Sequence, residues 1–381
     1  MAIMNQAASA KQRFSFSLQE FSGSLGDLGL FIPLVVAVAL STNMNLGTIL
    51  IAAGLMNILT GYWFRQPIPV QPMKAIAAVA ITGGMTQGDV VAAGIGMAIL
   101  LGILAGTGGI DFIRRYIPNA LVRGIQLGVG LKLAEKGLEW ILELPTLGTN
   151  SIVMAVIVGA LLLFFLIKKI PGLLFVFISG FLLLYIEQPG LYSGLAFSLP
   201  PLTIIMPTAG EWQVGLLQGA LPQLPLTLLN SVIAICALSA DYFPGRGIKP
   251  QKMAASVSLM NIICMPFGAI PMCHGAGGLA AQYSFGARTG GSVVMLGIIK
   301  LLLGLFIGGF LLHVLQSYPY ALLAPMLIFA GIELARTCFV LESKSDISVA
   351  LITAVGIMGA DTLVGFLLGG AVAFCFYLLK K

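Results

Sequence analysis

Charged side chains are scarce in this sequence. Only 9% of its 381 residues are Asp, Glu, Lys or Arg, whereas 58% are hydrophobic and the mean hydropathy is +1.01. A soluble domain carries about 25% charged residues, so this composition excludes an ordinary soluble enzyme or receptor domain. It predicts an all-α polytopic membrane protein, because a spanning helix needs about 20 largely apolar residues.

Cysteine and histidine are also rare, with five and two copies. The sequence contains no CxxC pair, HExxH, GxSxG or P-loop motif. We therefore predict no disulfide framework, no metal site, no cofactor and no enzymatic activity. The net charge of +6 is spread over many short loops, which argues against a nucleic-acid partner and favours charges that set membrane topology.

Hydrophobic stretches, in contrast, fill most of the chain. We predict fourteen transmembrane segments, of which the third and tenth are too short to span comfortably. Each short segment follows a proline-containing stretch, 67–72 or 268–271, and proline disfavours helix at and before its own position. We therefore expect an extended stretch leading into a half-helix at both places. The predicted segments are 24–41, 46–64, 73–86, 89–109, 118–135, 150–168, 171–187, 216–239, 250–267, 274–285, 290–313, 319–340, 346–359 and 361–379.

Basic residues are distributed unevenly between the loops of this arrangement. The 188–215 connection contains no Lys or Arg, and one face of the predicted topology holds essentially Lys136, with Lys132 nearby. The positive-inside rule makes the other face cytoplasmic. We expect both termini there, a short cytoplasmic segment over 1–20, and a multi-pass protein of the bacterial inner membrane. The basic residues of that face are Lys11, Arg13, Arg65, Arg114, Arg115, Lys168, Lys169, Arg246, Lys249, Lys252, Arg288, Arg336, Lys344, Lys380 and Lys381.

The two halves of the chain match each other at four places in the same order. Short motifs starting at Leu55, Ile68, Gly130 and Gly23 recur at offsets of 204, 202, 201 and 196 residues. Seven segments per copy is an odd number, so the second copy lies upside down relative to the first. We predict a first inverted repeat over 21–205 and a second over 206–381. Paired broken helices in such repeats place a substrate near the bilayer midplane.

The starts of the two predicted half-helices are the candidate substrate site. A helix N-terminus carries unpaired N–H groups and a partial positive charge, and so attracts anions. Lys74 adds a full charge, and Gly275 lets an oxyanion approach the backbone closely. Gln223 lies in the segment that repeats Asp27. The predicted substrate-binding residues are Asp27, Gln71, Met73, Lys74, Ala75, Gln223, Cys273, His274, Gly275 and Ala276.

Three of these residues have alternative explanations that the sequence leaves open. Lys74 is close enough to a helix start to extend its ammonium to an interface. Asp27 suits a helix N-cap as well as a proton carrier. His274 is either a packed, hydrogen-bonded side chain or a group that titrates near neutral pH. Asp27 and His274 are therefore the two candidates for proton coupling.

Several of these motifs resemble the molybdate transporter family, a distant relative of the sulfate permeases. In the first half the resemblance covers Phe21–Gly29, Pro69–Lys74 and Leu121–Leu127. In the second it covers Pro222–Ser231 and, most specifically, Pro271–Arg288. It implies seven plus seven inverted segments, a core domain of segments 1–4 and 8–11, and a gate domain of segments 5–7 and 12–14. It also implies transport of molybdate, with sulfate as a second substrate. We expect no C-terminal regulatory domain after the last segment.

The leading hypothesis is a secondary active transporter of a tetrahedral oxyanion, most plausibly molybdate. Uptake of a dianion against a negative-inside potential costs about 2.3 kcal/mol per charge per 100 mV, so we expect a coupled cation, with a proton the first choice. The alternatives are an anion channel of the same fold and a symporter of neutral nucleobases or organic anions. The expected partners are the oxyanion and the lipid bilayer, and a homodimer stays open.

Overall fold

Helices make up nearly all of the structure, a computed structural model that describes residues 14–26, 28–114, 117–168, 172–194, 199–200 and 203–379. The helices are α1 (Leu18–Leu25), α2 (Leu28–Thr42), α3 (Leu46–Phe64), α4 (Lys74–Thr82), α5 (Gln87–Thr107), α6 (Gly109–Arg114), α7 (Asn119–Leu142), α8 (Ile152–Ile167), α9 (Gly172–Glu187), α10 (Ala209–Tyr242), α11 (Pro250–Cys264), α12 (Ala276–Ser284), α13 (Gly291–Gln316), α14 (Tyr320–Ala335), α15 (Lys344–Gly359) and α16 (Thr362–Leu379). Two strands, β1 (Gln71–Pro72) and β2 (Met272–Cys273), are the only β-structure in the described residues.

Four helical stretches in the described residues are long and apolar enough to cross a membrane: α3, α5, α10, and α14 with the 3₁₀ turn that follows it, Tyr320–Val340. Shorter apolar stretches lie in α2, α8, α9, α13 and α16. Many large apolar side chains on these helices are exposed, as lipid-facing surfaces require. The predicted helical membrane class is confirmed.

A ladder of glycines joins α3 to α13. Gly54 approaches the helix opposite so closely that a Cβ atom there would lie 2.7 Å from the Gly297 carbonyl oxygen. A Cβ at Gly297 would lie 2.6 Å from the Gly54 carbonyl oxygen, and Gly61 meets Gly290 in the same way. Small residues let membrane helices pack backbone against backbone. The high glycine content therefore fixes this contact, which is among the most extensive between helices in the described residues.

The helix that carries Gln223 differs from its predicted form. The prolines at 222 and 225 suggest an opened backbone, yet α10 is continuous over 34 residues. Its opening takes the form of two π-helical stretches, Gly215–Ala220 and Thr227–Ala234, on either side of Leu221–Leu226. Proline removes a backbone donor, and wider turns of this kind often occur at functional sites.

One helix near the N-terminus was not predicted. Residues 18–25 form α1, although the sequence suggested a polar segment up to residue 20. The buried Glu20 carboxylate accepts hydrogen bonds from the backbone N–H groups of Arg288 and Thr289, and Gly23 packs against Ala287. Contacts between distant parts of the chain therefore help to order α1. Its sequence also held a helical signal that the prediction missed, since Ser17 caps the helix through the Glu20 N–H.

Candidate functional site

Two short helices start beside each other, each after an extended pair of residues. Strand β1 pairs antiparallel with β2, with Gln71 opposite Cys273 and Pro72 opposite Met272. The Met73 N–H extends this pairing by donating to the Pro271 carbonyl oxygen over 2.8 Å. Helices α4 and α12 then begin at Lys74 and Ala276, and each has nine residues. This antiparallel pairing of β1 with β2, called the strand crossing below, brings together the two chain segments that the sequence singled out.

Asn261 holds the second of these segments in place. Its amide oxygen accepts from the Met272 N–H at 2.8 Å, and its amide nitrogen donates to the Met272 carbonyl oxygen at 2.6 Å. Asn57, at the equivalent point of the first half, instead accepts a hydrogen bond from the Lys300 ammonium at 3.1 Å. The two halves therefore support their extended segments differently.

Gln223 caps the start of α4. Its side-chain oxygen accepts from the backbone N–H groups of Ala75, at 2.8 Å, and Ile76, at 3.3 Å. Its amide nitrogen donates to the Thr227 hydroxyl at 2.9 Å, one helical turn further along α10. These N–H groups are among those that a helix leaves unpaired at its N-terminus. A neutral oxygen therefore occupies two of the donors that the sequence assigned to an anion.

The start of α12 has no such cap. Gly275 is the N-cap residue and supplies no side-chain hydrogen bond. Ala276 is partly exposed and Gly277 is exposed, and a Cβ at Gly277 would meet no atom within 4 Å. On the other side of the crossing, the Gln71 side-chain oxygen would lie 1.8 Å from a Cβ at Gly275. Space and backbone donors are thus available on the exposed side of this helix start.

His274 links the crossing to the neighbouring helix. The ring is fully buried, with Nδ1 2.8 Å from the Pro69 carbonyl oxygen and Nε2 3.0 Å from the Ser256 hydroxyl. A carbonyl oxygen only accepts, so Nδ1 carries the hydrogen, and in the neutral ring Nε2 accepts from Ser256. The packed, hydrogen-bonded alternative for His274 thus describes its geometry, whereas the structure does not test a role in proton transfer.

Lys74 is the first residue of α4 and is partly exposed, whereas Met73 before it and Ala75 after it are buried. No carboxylate in the described part of the chain lies within ion-pair distance of its ammonium. Cys273 is buried in β2. Asp27 lies outside the described residues. In the described residues no three His, Cys, Asp or Glu side chains cluster as metal ligands.

Sequence reasoning missed three contributors to this arrangement: Ser256, Asn261 as a clamp on the extended segment, and Thr227. Thr227 follows Gln223 by four residues, a spacing that places both side chains on one helix face, and this signal was available. Ser256 and Asn261 act through contacts with the strand crossing, which no local pattern reveals.

A cavity of about 660 Å³ lies nearby but does not include these residues. Leu221, Leu224 and Pro225 of α10 line it, together with residues at the start of α7 and from α15 and α16. Residues 221, 224 and 225 share one face of the helix, and Gln223 points away from that face. This cavity therefore lies behind the Gln223 helix rather than at the strand crossing.

Comparisons with known proteins agree on the type of protein. A family model described as "Molybdate transporter of MFS superfamily" matches residues 19–133 and 215–334. Molybdate transporter 2 of Arabidopsis thaliana is 38% identical, over 91% of this chain and 84% of the relative. Molybdate transporter 1 of the same plant is 35% identical, over 93% of this chain and 87% of the relative.

A solved structure shows the same fold. Murine Solute Carrier 26 family member A9, an anion transporter described in the inward-facing state, superposes with a TM-score of 0.70 at 15% identity. The match covers 97% of this chain and 69% of that protein. At this identity the comparison establishes the fold alone, which is that of a multi-pass membrane transporter.

Proposed function

The chain belongs to the molybdate transporter family, and from this premise we propose that it is a secondary active transporter of a tetrahedral oxyanion, molybdate first. It is a membrane transporter and not an enzyme, as predicted. The observation that carries the choice of an anion is the uncapped, exposed start of α12 beside the strand crossing that also positions Lys74.

The oxyanion binds between the two helix starts, with most of its contacts on the α12 side. There Gly277 is exposed and Ala276 partly exposed, next to the buried Gly275, and a helix N-terminus offers roughly half a positive charge. Lys74 contributes a full positive charge from α4. Gln223 holds the remaining α4 donors and orients that helix, so it lines the site as a neutral neighbour.

The positive charge at the proposed site favours an anionic substrate over a neutral nucleobase. A buried carboxylate would suit the donors of a nucleobase ring, whereas a lysine at a helix N-terminus combines two positive elements. Molybdate and sulfate are both tetrahedral dianions. The site as described favours their shared charge and shape, and relatives that are named molybdate transporters favour molybdate.

Proton coupling is part of the proposal and has two candidate groups. Asp27 is the first. His274 is the second, and protonation of its ring would make both nitrogens donors, so that the Ser256 hydroxyl would have to turn and accept. Concentrative uptake of a dianion needs such a coupled cation, since the potential opposes each negative charge.

Helix packing supports two inverted repeats with core and gate domains. Helix α3 packs against α13 in the same way as α11 packs against α5. This is expected if α3 and α11 are equivalent helices of the two repeats (segments 2 and 9), and α5 and α13 likewise (segments 4 and 11). In the same way α7–α15 corresponds to α14–α8, and α15–α16 to α8–α9. In this division α4 and α12 are the half-helices of segments 3 and 10. Fourteen segments cross or enter the bilayer. Both termini lie on the cytoplasmic side.

The contacts of the half-helices point to a conformation open to the cytoplasm. Helix α4 packs against α7 of the gate, but α12 makes no comparable contact with α14, the equivalent helix of the other repeat. In the proposed topology α4 runs outwards and α12 runs inwards from the midplane. The looser packing of α12 against the gate therefore lies on the inner side, and the similar transporter structure is described as inward-facing.

Uptake of labelled molybdate into proteoliposomes tests the proposed function. We expect saturable uptake that tungstate and sulfate reduce and uracil leaves unchanged. Preloaded unlabelled molybdate should accelerate entry of label by counterflow, because a carrier returns faster when loaded. Competition by uracil but not by sulfate would indicate a nucleobase transporter. Flux without saturation or counterflow would indicate a channel.

A further inference from the structure

A narrow groove of about 150 Å³ runs between α3 and α11, and none of its lining residues belongs to the proposed oxyanion site. Its apolar walls include Leu59 and Trp63 of α3 and Leu259 and Ile263 of α11. These four side chains are between 46% and 63% exposed. Since they belong to helices of a membrane protein, their exposed faces meet lipid. The groove is therefore shaped to take part of an acyl chain.

One end of the groove is basic and aromatic. The exposed Lys252 lines it, and its ammonium lies 5.8 Å from the Trp63 ring and 5.7 Å from the Phe64 ring. No described carboxylate lies within ion-pair distance of Lys252. Arg65 caps the end of α3, and Lys249 precedes α11 at the same end. Tryptophan and lysine are the residue types that sit at the membrane–water interface.

We propose that this groove binds one anionic phospholipid, with its phosphate at Lys252 and an acyl chain along Leu59, Leu259 and Ile263. Basic pockets between membrane helices are suited to acidic headgroups. A zwitterionic headgroup carries its own cation, which offsets the phosphate charge and is repelled by the nearby basic residues, whereas an anionic headgroup leaves a net negative charge for Lys252, so the lipid is anionic.

A hydrogen bond between Ser256 and His274 links the groove to the strand crossing. Ser256 lines the groove, and its hydroxyl contacts His274 Nε2, while the other ring nitrogen contacts the Pro69 carbonyl oxygen. A bound acyl chain covers the face of α11 that carries Ser256. It thereby excludes water from this hydrogen-bonded link and supports the segment that leads into α4.

Trp63 provides a direct probe for the proposed lipid. The chain has three tryptophans, so a protein with Trp140→Phe and Trp212→Phe reports from the groove alone. It is reconstituted into phosphatidylcholine vesicles that contain a small fraction of brominated phosphatidylglycerol or, in parallel, brominated phosphatidylcholine. We expect stronger quenching of Trp63 fluorescence by the anionic lipid at equal mole fraction. Lys252→Gln should lower this preference roughly fivefold, the value of one lysine at an anionic surface.

Lys249→Gln is the matched control, because it removes the same charge at the same helix end without lining the groove. It should keep most of the preference for phosphatidylglycerol. Ala255→Phe, which fills the groove, should abolish the preference while Lys252 stays in place. Equal quenching by both brominated lipids in the parent protein overturns the proposal. So does an equal loss of preference in Lys252→Gln and Lys249→Gln, which would indicate a general surface potential.

Discussion

Gln223 places a neutral oxygen on backbone donors that would otherwise attract an anion at the start of α4. This contact makes the start of α4 chemically different from the start of α12. The α12 start keeps its backbone accessible, and Lys74 supplies charge on the α4 side. In the proposed site the positive potential would therefore come from a side chain in one half of the chain and from backbone in the other.

The substitution Gln223→Glu tests this neutrality. A carboxylate would cap the start of α4 equally well, so the fold should be kept. It would also add a negative charge beside a dianion, and like-charge juxtaposition costs several kcal/mol. We therefore expect molybdate affinity to fall roughly a hundredfold or more, measured by equilibrium binding. Gln213→Glu, ten residues earlier on the exposed part of α10, is the control and should bind nearly normally.

Asp27→Asn tests the first proton-coupling candidate. If Asp27 carries the proton, this variant should lose acid-stimulated accumulation of molybdate but keep exchange of internal for external substrate. The measurement is uptake into proteoliposomes with and without an inward proton gradient. An unchanged dependence on the gradient would remove Asp27 from this role, and His274→Gln would then be assayed in the same way.

The sequence predicted that two distant segments belong together better than it predicted the contacts between them. Lys74, Gly275 and Ala276 were singled out because a charge and small residues follow prolines in both halves of the chain; the structure pairs the two segments, and the role of these residues in binding stays a prediction. The cap by Gln223 and the Ser256–His274–Pro69 link were not found. Both join residues that are far apart in sequence. A hydrophobic periodicity does not predict which distant backbone group a side-chain amide will contact.

At the scale of elements, close helix contacts depend on the absence of side chains. A Cβ at Gly54 would lie 2.7 Å from backbone atoms of α13, which cannot shift without separating the two helices. The glycine count suggested such contacts in general. Only the structure identifies α3 and α13 as the pair, because glycines with no close neighbour, such as Gly159, look the same in the sequence.

Gly54→Ala and Gly159→Ala form a matched pair that tests this contact. Alanine is favoured over glycine in a helix by about 1 kcal/mol, so Gly159→Ala should be neutral or slightly stabilising. Gly54→Ala should destabilise by about 1–3 kcal/mol, since overpacking outweighs that gain. The apparent melting temperature in detergent compares the two. Equal shifts in the same direction would mean that α3 and α13 are not held by backbone contact.

At the scale of the whole molecule, the two proposed repeats insert into the membrane with opposite orientations, which fixes the side on which each loop lies. Single cysteines at exposed positions test this in a background without the native ones: Gln188→Cys in the connection after α9 and Glu342→Cys before α15. In intact cells a membrane-impermeant maleimide should label residue 188. Residue 342 should react only after permeabilisation. Labelling of both from outside would contradict the proposed orientation.

The most direct test of the account is equilibrium binding of molybdate to the purified protein and to Lys74→Ala. A charge-assisted hydrogen bond contributes about 1.5–3 kcal/mol, so the variant should bind roughly tenfold to a hundredfold more weakly. Lys249→Ala removes an equal charge outside the site and should bind normally. Gly275→Leu, whose side chain would enter the space of Gln71 and block the α12 backbone, should also lose affinity. Unchanged molybdate affinity in both Lys74→Ala and Gly275→Leu would mean that the oxyanion does not bind between the two helix starts.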